Sequence, residues 1–525
     1  MNLANLEENI IRRVALGDIL RRKARQTPEK KAVVVNYNGV NDIVTYKELN
    51  SRVNQLVHAM REKGLVQGDK VAILGLNSIE FIVVMYACFK GGFVMIPVNV
   101  GQSLDGINYC IEEAKPRMVF YSTVFAGIVA GLKNNILSSA YYSKLDENID
   151  SEDIFINELI DGQPDDEIMD IIINNDDLAQ VMFTSGTTAN PKGVKHTHLS
   201  LLFGSINLVT AGYRLDTVYY LFWPMFHIAA ETKALMTHYL GGTIVFIPQF
   251  NALHLADLIE QEKITAIDMM PHMMDDFYKI PDLEKRDFSS LEILLAAWPS
   301  PEEKKILDSM CPKLVFTGGA GQTEVSGMAH AFSHEEVEHE GANYWGKPNP
   351  LLDVAILDDD GNESTNGEPG EICWRGPQVM AGYLNNDEVT QESRKFGWHH
   401  SGDIGAIDRF GQLQFIDRKK DMIRTGGENV PSILVESVVS QIDGVKHTAA
   451  IGVPHPRWGE AVVVIIEKQD NVSLDEKDVI SFCKTKLGGY QVPKKVIFVD
   501  EVPLTPTQRI KKKELKVEYS DIFQD

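Results

Sequence analysis

Residues 183–198 read FTSGTTANPKGVKHTH, directly after the apolar pair Val181-Met182. Thr184, Ser185, Gly186, Thr187 and Thr188 crowd hydroxyls and unencumbered peptide N–H groups into five positions, and Lys192 and Gly193 follow. Such a loop can wrap phosphate oxygens, with hydroxyl and backbone donors for hydrogen bonds and a lysine to neutralise charge. A flexible surface loop of Ser, Thr and Gly would need no terminal Pro-Lys-Gly. The spacing excludes a Walker A loop, because GxxxxGK[ST] cannot be fitted to it. The stretch reads as a phosphate-holding loop at the end of a strand.

Working outward, KAVVVNY (31–37), KVAILGL (70–76) and FVMIPVNV (93–100) are short, β-branched and bounded by Gly, Pro or Asn, as buried strands are. Between them YKELNSRVNQLVHAMREKGL (46–65) places Leu49, Val53, Leu56, Val57 and Met60 at helical spacing, with Gly64 as its stop. FIVVMYACF (81–89), flanked by Glu80 and Lys90, is too short to span a bilayer and reads as a buried helix. This alternation predicts mostly parallel α/β sheets. From 351 to 416 the texture turns to short alternating strands between turns, a β-rich subdomain, and after 417–427 a new α/β pattern begins. The expected organisation is a large domain over 1–419 and a small, mobile C-terminal α+β domain over 420–525.

With 525 residues the chain exceeds one core, and 44% hydrophobic with 24% charged residues describes a globular protein. Its 51 basic against 74 acidic residues, a net charge of −23, argue against non-specific binding to nucleic acid or anionic membrane. The N-terminus lacks the apolar core of a secretory signal. Cys88, Cys110, Cys311, Cys373 and Cys483 are scattered and odd in number, as reduced buried thiols in the cytoplasm would be.

The chain resembles the adenylate-forming superfamily of acyl-CoA synthetases, peptide-synthetase adenylation domains and beetle luciferases. KGGFVMIPVN (90–99), TSGTTANPKG (184–193), PMFHI (224–228), GQTE (321–324), GWHHSGDIG (397–405), DRKKDMI (417–423) and GGEN (426–429) occur in the family's order. The resemblance implies two steps. A carboxylate attacks the α-phosphate of ATP to give an acyl-adenylate and pyrophosphate, and a thiol then displaces AMP. It implies ATP contacts from Thr184, Ser185, Gly186, Thr187, Thr188, Lys192, Gly321, Gln322, Thr323, Asp403 and Arg418. Glu324 would help hold Mg²⁺, a hard ion suited to an anionic oxygen, and Thr323 would meet the α-phosphate. Asp403 would accept hydrogen bonds from both ribose hydroxyls. His227 would gate the pocket where carboxylate and thiol meet, Gly426, Gly427 and Glu428 would contact coenzyme A, and Lys420 would be the hinge.

Three departures stand out. At residues 503–515, PLTPTQRIKKKEL, the family has a Gly-Lys pair whose lysine enters the site for adenylation; here the pair is Gln508-Arg509. Arginine keeps the charge on a bulkier, forked head. Either Arg509 serves catalysis, or Lys511 or another neighbour replaces it, or adenylation is impaired. Ala320 stands where an aromatic residue usually packs on adenine, and AAWP (296–299) replaces a Gly-Gly-Ala-Pro run. Trp298 either restores that ring surface or narrows the acyl pocket. His196 and His198, lacking a third ligand, read as structural, and so do His399 and His400. The Met cluster at 269–274 reads as core.

The expected activity is an AMP-forming acyl-CoA ligase using a carboxylic acid, ATP, Mg²⁺ and coenzyme A. The alternatives are a nucleotide-binding pseudoenzyme or an enzyme loading a carrier protein, though no carrier domain is expected. No nucleic acid and no membrane span is expected, a homodimer is left open, and the acid is not readable.

Overall fold

The computed structural model describes residues 3–37, 40–147, 152–184, 191–247, 250–296, 301–333, 344–364, 367–469, 472–504 and 510–523. The chain divides into two compact units, a large one of residues 1–353 with 374–399 and a small one of 354–373 with 400–525. The expected fold class holds: a large N-terminal α/β domain and a smaller C-terminal domain.

The large unit carries two sheets. In one, the strands run in the order Gly382–Tyr383, Lys192–Thr197, Leu178–Thr184, Val94–Pro97, Lys70–Leu74, Met118–Tyr121, Tyr141–Lys144, Ile154–Phe155. Its centre is parallel, and antiparallel pairs at the 178–184 edge finish it. In the other, Val315–Gln322 lies parallel to Ile293–Leu295 and antiparallel to Gly327–Ser333. Parallel strands are buried on both faces, which is why they read as unbroken apolar runs rather than alternating ones.

Helices pack these sheets for local reasons. Tyr46–Glu62 starts with a capping box in which the Thr45 side chain accepts from the Glu48 N–H while Glu48 reaches back to Thr45. It stops where Gly64 takes φ +81°, a conformation only glycine adopts freely. Ile79–Gly91, capped by Ser78, is buried on every side. Its last lysine, Lys90, is only 2% exposed. That ammonium is satisfied by Asn50 and Asn54 at 2.7 Å each and by Glu167 at 3.1 Å, as a buried charge requires.

Met269, Met273 and Met274 lie in the apolar core under the second sheet. The hairpin formed by 315–322 and 327–333 is unusually close. A Cβ at Gly321 would stand 1.8 Å from the Gly327 carbonyl oxygen and 2.8 Å from the Ala329 nitrogen, both backbone atoms. Gly321→Ala is therefore expected to part the two strands and lower stability by about 1–3 kcal/mol, read as a shifted urea midpoint with an unchanged slope.

In the small unit, residues 403–407 pair antiparallel with 413–418, placing Asp403 opposite Arg418. A second sheet is built on the long antiparallel pair Val445–His455 and Gly459–Lys468, with Lys495–Val499 parallel beside it. Gly426 and Gly427 make the two-residue turn between Ile423–Thr425 and Glu428–Val430, with φ of +60° and +86°. A turn with two positive φ values matches strand twist and demands such residues.

Candidate functional site

Of the quoted stretch, the described strand ends Phe183-Thr184 and Lys192-Gly193 form an antiparallel pair. Thr184 ends one strand and Lys192 begins the next, paired across it, with the Thr184 hydroxyl donating to the Lys192 carbonyl at 3.4 Å. Ser185, Gly186, Thr187 and Thr188 lie outside the described residues, as do Trp298, Gln508 and Arg509. The two described ends still show where the loop is anchored. Gly382–Tyr383 joins the outer strand, with the Ala381 N–H donating to Lys195 O at 2.8 Å and the Leu384 N–H to Gly193 O at 2.7 Å. The Lys192 ammonium stands 5.1 Å from the centre of the Tyr383 ring. The Tyr383 hydroxyl donates to Glu324 Oε1 at 3.1 Å. Burial, and then the adjacent Glu324 carboxylate, push the phenol well above its ordinary range. It therefore remains a protonated donor.

Glu324 sits on the tight turn Thr323–Val325, which closes through the Ser326 N–H to the Thr323 carbonyl at 3.0 Å. Ser326 takes φ +52° there. Its hydroxyl donates to the Gln378 carbonyl at 2.8 Å and lies 3.1 Å from His196 Nδ1. The hydroxyl has one hydrogen and spends it on Gln378, which assigns the Nδ1 proton to His196. Burial pushes the His196 imidazole down to about 3, against a smaller opposing pull from the Thr323 backbone. The ring is neutral at ordinary pH. The Gln378 amide donates to the Val325 and Met328 carbonyls at 3.0 and 3.2 Å. Glu324 is also held through its own carbonyl, which accepts from the Met380 N–H at 2.8 Å. His196 thus carries the structural role expected of it, whereas Tyr383, Ser326 and Gln378 were not singled out in sequence.

This donor set fits Mg²⁺. Among the described residues no group of three or more His, Cys, Asp or Glu could cage a metal. One oriented carboxylate beside a phosphate-holding loop is how Mg²⁺ is commonly held, with substrate phosphates completing its shell.

His227 caps the helix Ile228–Leu240, its Nδ1 accepting from the Ala229 N–H at 3.2 Å. Its ring stacks on Trp223, with centres 5.7 Å apart and planes 19° apart. Trp223 is fixed in turn by its indole N–H, which donates to Asp268 at 2.8 Å. Asp268 forms a buried ion pair with Lys233 on the same helix as His227. Glu231 on that helix is fully buried near Gln180, and burial pushes its carboxyl up to about 8, so it is neutral.

In the small unit, Arg418 Nε lies 3.7 Å from Asp403 Oδ1. Glu371 clamps both strands that carry this pair. It accepts from the Gly402 N–H at 2.9 Å, from Lys419 Nζ at 3.1 Å and faces His400 Nδ1 at 3.2 Å. His399 stacks on Trp374 in the large unit. Lys420 is exposed, and its carbonyl accepts from Lys516 Nζ at 3.1 Å. The basic tail is therefore partly tied down: Lys512 pairs with Glu436 at 2.7 Å, Lys511 with Glu514 at 3.1 Å and Lys516 with Asp421 at 3.9 Å. Beside the 426–427 turn, the Gly426 N–H donates to the Trp458 carbonyl at 2.8 Å. Arg457 and Lys494 lie over the Trp458 ring at 5.8 and 5.3 Å. Among the described residues no helix is long and apolar enough to cross a membrane.

Lys192 and Glu324 thus meet at Tyr383 on the α/β scaffold, beside the strand ends at Thr184 and Lys192. Residues 20–384 match the AMP-binding enzyme family and residues 434–509 match its C-terminal domain. The chain belongs to the AMP-binding enzyme family. It is 32% identical to a feruloyl-CoA synthase of an Amycolatopsis species over 96% of this chain and 99% of that protein. It is 30% identical to the long-chain-fatty-acid–CoA ligase FadD13 of Mycobacterium tuberculosis over 96% and 98%. ATP-bound MatB from Rhodopseudomonas palustris superimposes with a TM-score of 0.84 at 25% identity, covering 97% of this chain and 99% of that one.

Proposed function

We propose that this chain is an AMP-forming acyl-CoA ligase that uses ATP with Mg²⁺, a carboxylic acid and coenzyme A. The observation that carries the reading is the convergence of Lys192 and Glu324 on Tyr383 beside the strand ends at Thr184 and Lys192. The acid's carboxylate oxygen bonds to the α-phosphorus and pyrophosphate leaves. The thiol sulfur of coenzyme A then bonds to the acyl carbon, AMP leaves, and the thiol proton is released.

In this reading Lys192, with the 184–188 loop, holds the β- and γ-phosphates, and Thr323 meets the α-phosphate. Mg²⁺, when bound, would neutralise charge on the phosphates, and Glu324 would help hold it. Asp403 and Arg418 hold the ribose. His227, backed by Trp223, forms a wall where acid and thiol meet. We assign Lys420, exposed at the proposed domain boundary at 419–420, as a hinge that lets the small domain present Gly426, Gly427 and Glu428 to coenzyme A. Feruloyl and long-chain fatty acids, the acids named for two relatives, bracket the substrate class. Action in the cytoplasm suits ATP and coenzyme A as substrates.

The test is incubation with ATP, Mg²⁺ and coenzyme A across aromatic and aliphatic acids, following AMP, pyrophosphate and thioester together. Equal amounts of all three from one acid are expected. If every acid fails while ATP binds, Arg509→Lys is the next arm. Rescue would place the defect at that position; silence in both would overturn the ligase reading in favour of nucleotide binding without turnover.

A further inference from the structure

We propose that Tyr383 is a positioning residue for adenylation, its ring seating the Lys192 ammonium and its hydroxyl aiming the Glu324 carboxylate. One side chain then sets both the cation and the anion of the polyphosphate site. The inference rests on the roles given above to Lys192 and Glu324.

The local structure leaves Tyr383 little freedom. It sits on a two-residue strand added to the 192–197 edge, directly opposite Val194. Directly opposed residues share a face of the sheet, and so do residues two apart on one strand. Lys192 therefore projects on the same face as Tyr383, diagonal to it. The ring is only 5% exposed, and hydrogen bonds at Ala381 and Leu384 fix the backbone on either side. At 5.1 Å the ammonium lies within the roughly 6 Å over which an aromatic face attracts a cation.

The hydroxyl contact serves a different purpose. A carboxylate has about four lone-pair sites. Tyr383 occupies one of them on Oε1 with a neutral donor, which orients the group without cancelling its charge. A lysine or arginine in its place would neutralise Glu324 and compete with a bound cation. Lys192 meets the π face while Glu324 meets the hydroxyl, so the two charges are held by opposite properties of one ring. Partners that orient a metal-binding carboxylate are known to govern metal affinity.

The experiment uses the full chain and a non-hydrolysable ATP analogue, with binding measured calorimetrically across a Mg²⁺ titration. It needs no knowledge of the acid. Tyr383→Phe keeps the ring and is expected to raise the Mg²⁺ needed for half-maximal binding about tenfold. Its affinity for the analogue without metal should be unchanged. Tyr383→Leu removes the ring as well and should add a loss of metal-free affinity of about threefold. Circular dichroism and thermal unfolding report whether each variant folds, and the Phe variant keeps the test valid if the Leu variant does not.

Glu324→Gln separates this inference from the reading beneath it. If Glu324→Gln shifts the Mg²⁺ dependence and Tyr383→Phe does not, the role of Tyr383 falls and that of Glu324 stands. If Glu324→Gln leaves the dependence unchanged, Glu324 is not the ligand and both fall. Equal loss of affinity with and without Mg²⁺ in Tyr383→Phe would mark a merely structural tyrosine and overturn the proposal.

Discussion

Asp268→Ala is expected to lower the free energy of unfolding by about 3–5 kcal/mol, the range for removing one partner of a buried ion pair. The Lys233 and Asp268 side chains are 4% and 1% exposed, so water cannot replace the lost carboxylate. The Trp223 indole N–H loses its acceptor in the same substitution. The phenols of Tyr213 and Tyr219, pushed up by burial and then by Asp268, lose the charge they face. Removing both charges together, as Lys233→Met with Asp268→Leu, should restore a large part of the loss, because the penalty lies in the stranded ammonium rather than in a missing attraction. Guanidinium unfolding followed by tryptophan fluorescence measures both variants. A cost below about 1 kcal/mol would mean that the pair behaves as an exposed one. Because Trp223 stacks on His227, the double variant should also change which acids are accepted even where stability returns.

The contrast between this pair and the quoted stretch shows what a sequence can carry. The strand at 178–184, the buried helix at 79–91 and the stop at Gly64 depend on residues within a few positions of one another, and their periodicity and end signals were readable. Thr323, Glu324 and Lys192 could be proposed from sequence because their motifs are contiguous. Tyr383 was not: it meets Glu324 from 59 positions away and rests on a two-residue strand with no periodicity. Asp268 and Lys233 look like an unremarkable acid and base until a sheet and a helix bring them together across 35 positions. Glu371, inside a turn-rich stretch, shows no sign of its role until the folded strands place Gly402 and Lys419 on its two oxygens. The contact of His196 with Ser326, which braces the turn that bears Glu324, is a tertiary fact across 130 positions. Even the glycine pair at 426–427 has two claims on it, since the hairpin requires it before any ligand does.

Asp403→Ala is expected to weaken ATP binding by about a hundredfold, since a charge-assisted hydrogen bond contributes about 1.5–3 kcal/mol and this carboxylate is assigned two of them. The residue is prepared for that task. It is only 4% exposed, it stands opposite Arg418 in the strand register, and its backbone N–H donates to the Ser401 hydroxyl at 3.0 Å. Glu371 holds the neighbouring residues of both strands, so the carboxylate has little freedom to turn away. Affinity alone would not establish the role, because any disturbance of the small unit would weaken binding. The decisive measurement is a ratio. The unsubstituted protein should prefer ATP to 2′-deoxy-ATP and to 3′-deoxy-ATP by about tenfold each, the worth of one such bond. In Asp403→Ala the three nucleotides should bind alike, while Asp403→Asn, which keeps an acceptor but not the charge, should fall between. Damage to the fold would scale all three affinities equally and leave the ratios intact. Preserved discrimination in Asp403→Ala would therefore remove Asp403 from the ribose, whatever had happened to its affinity.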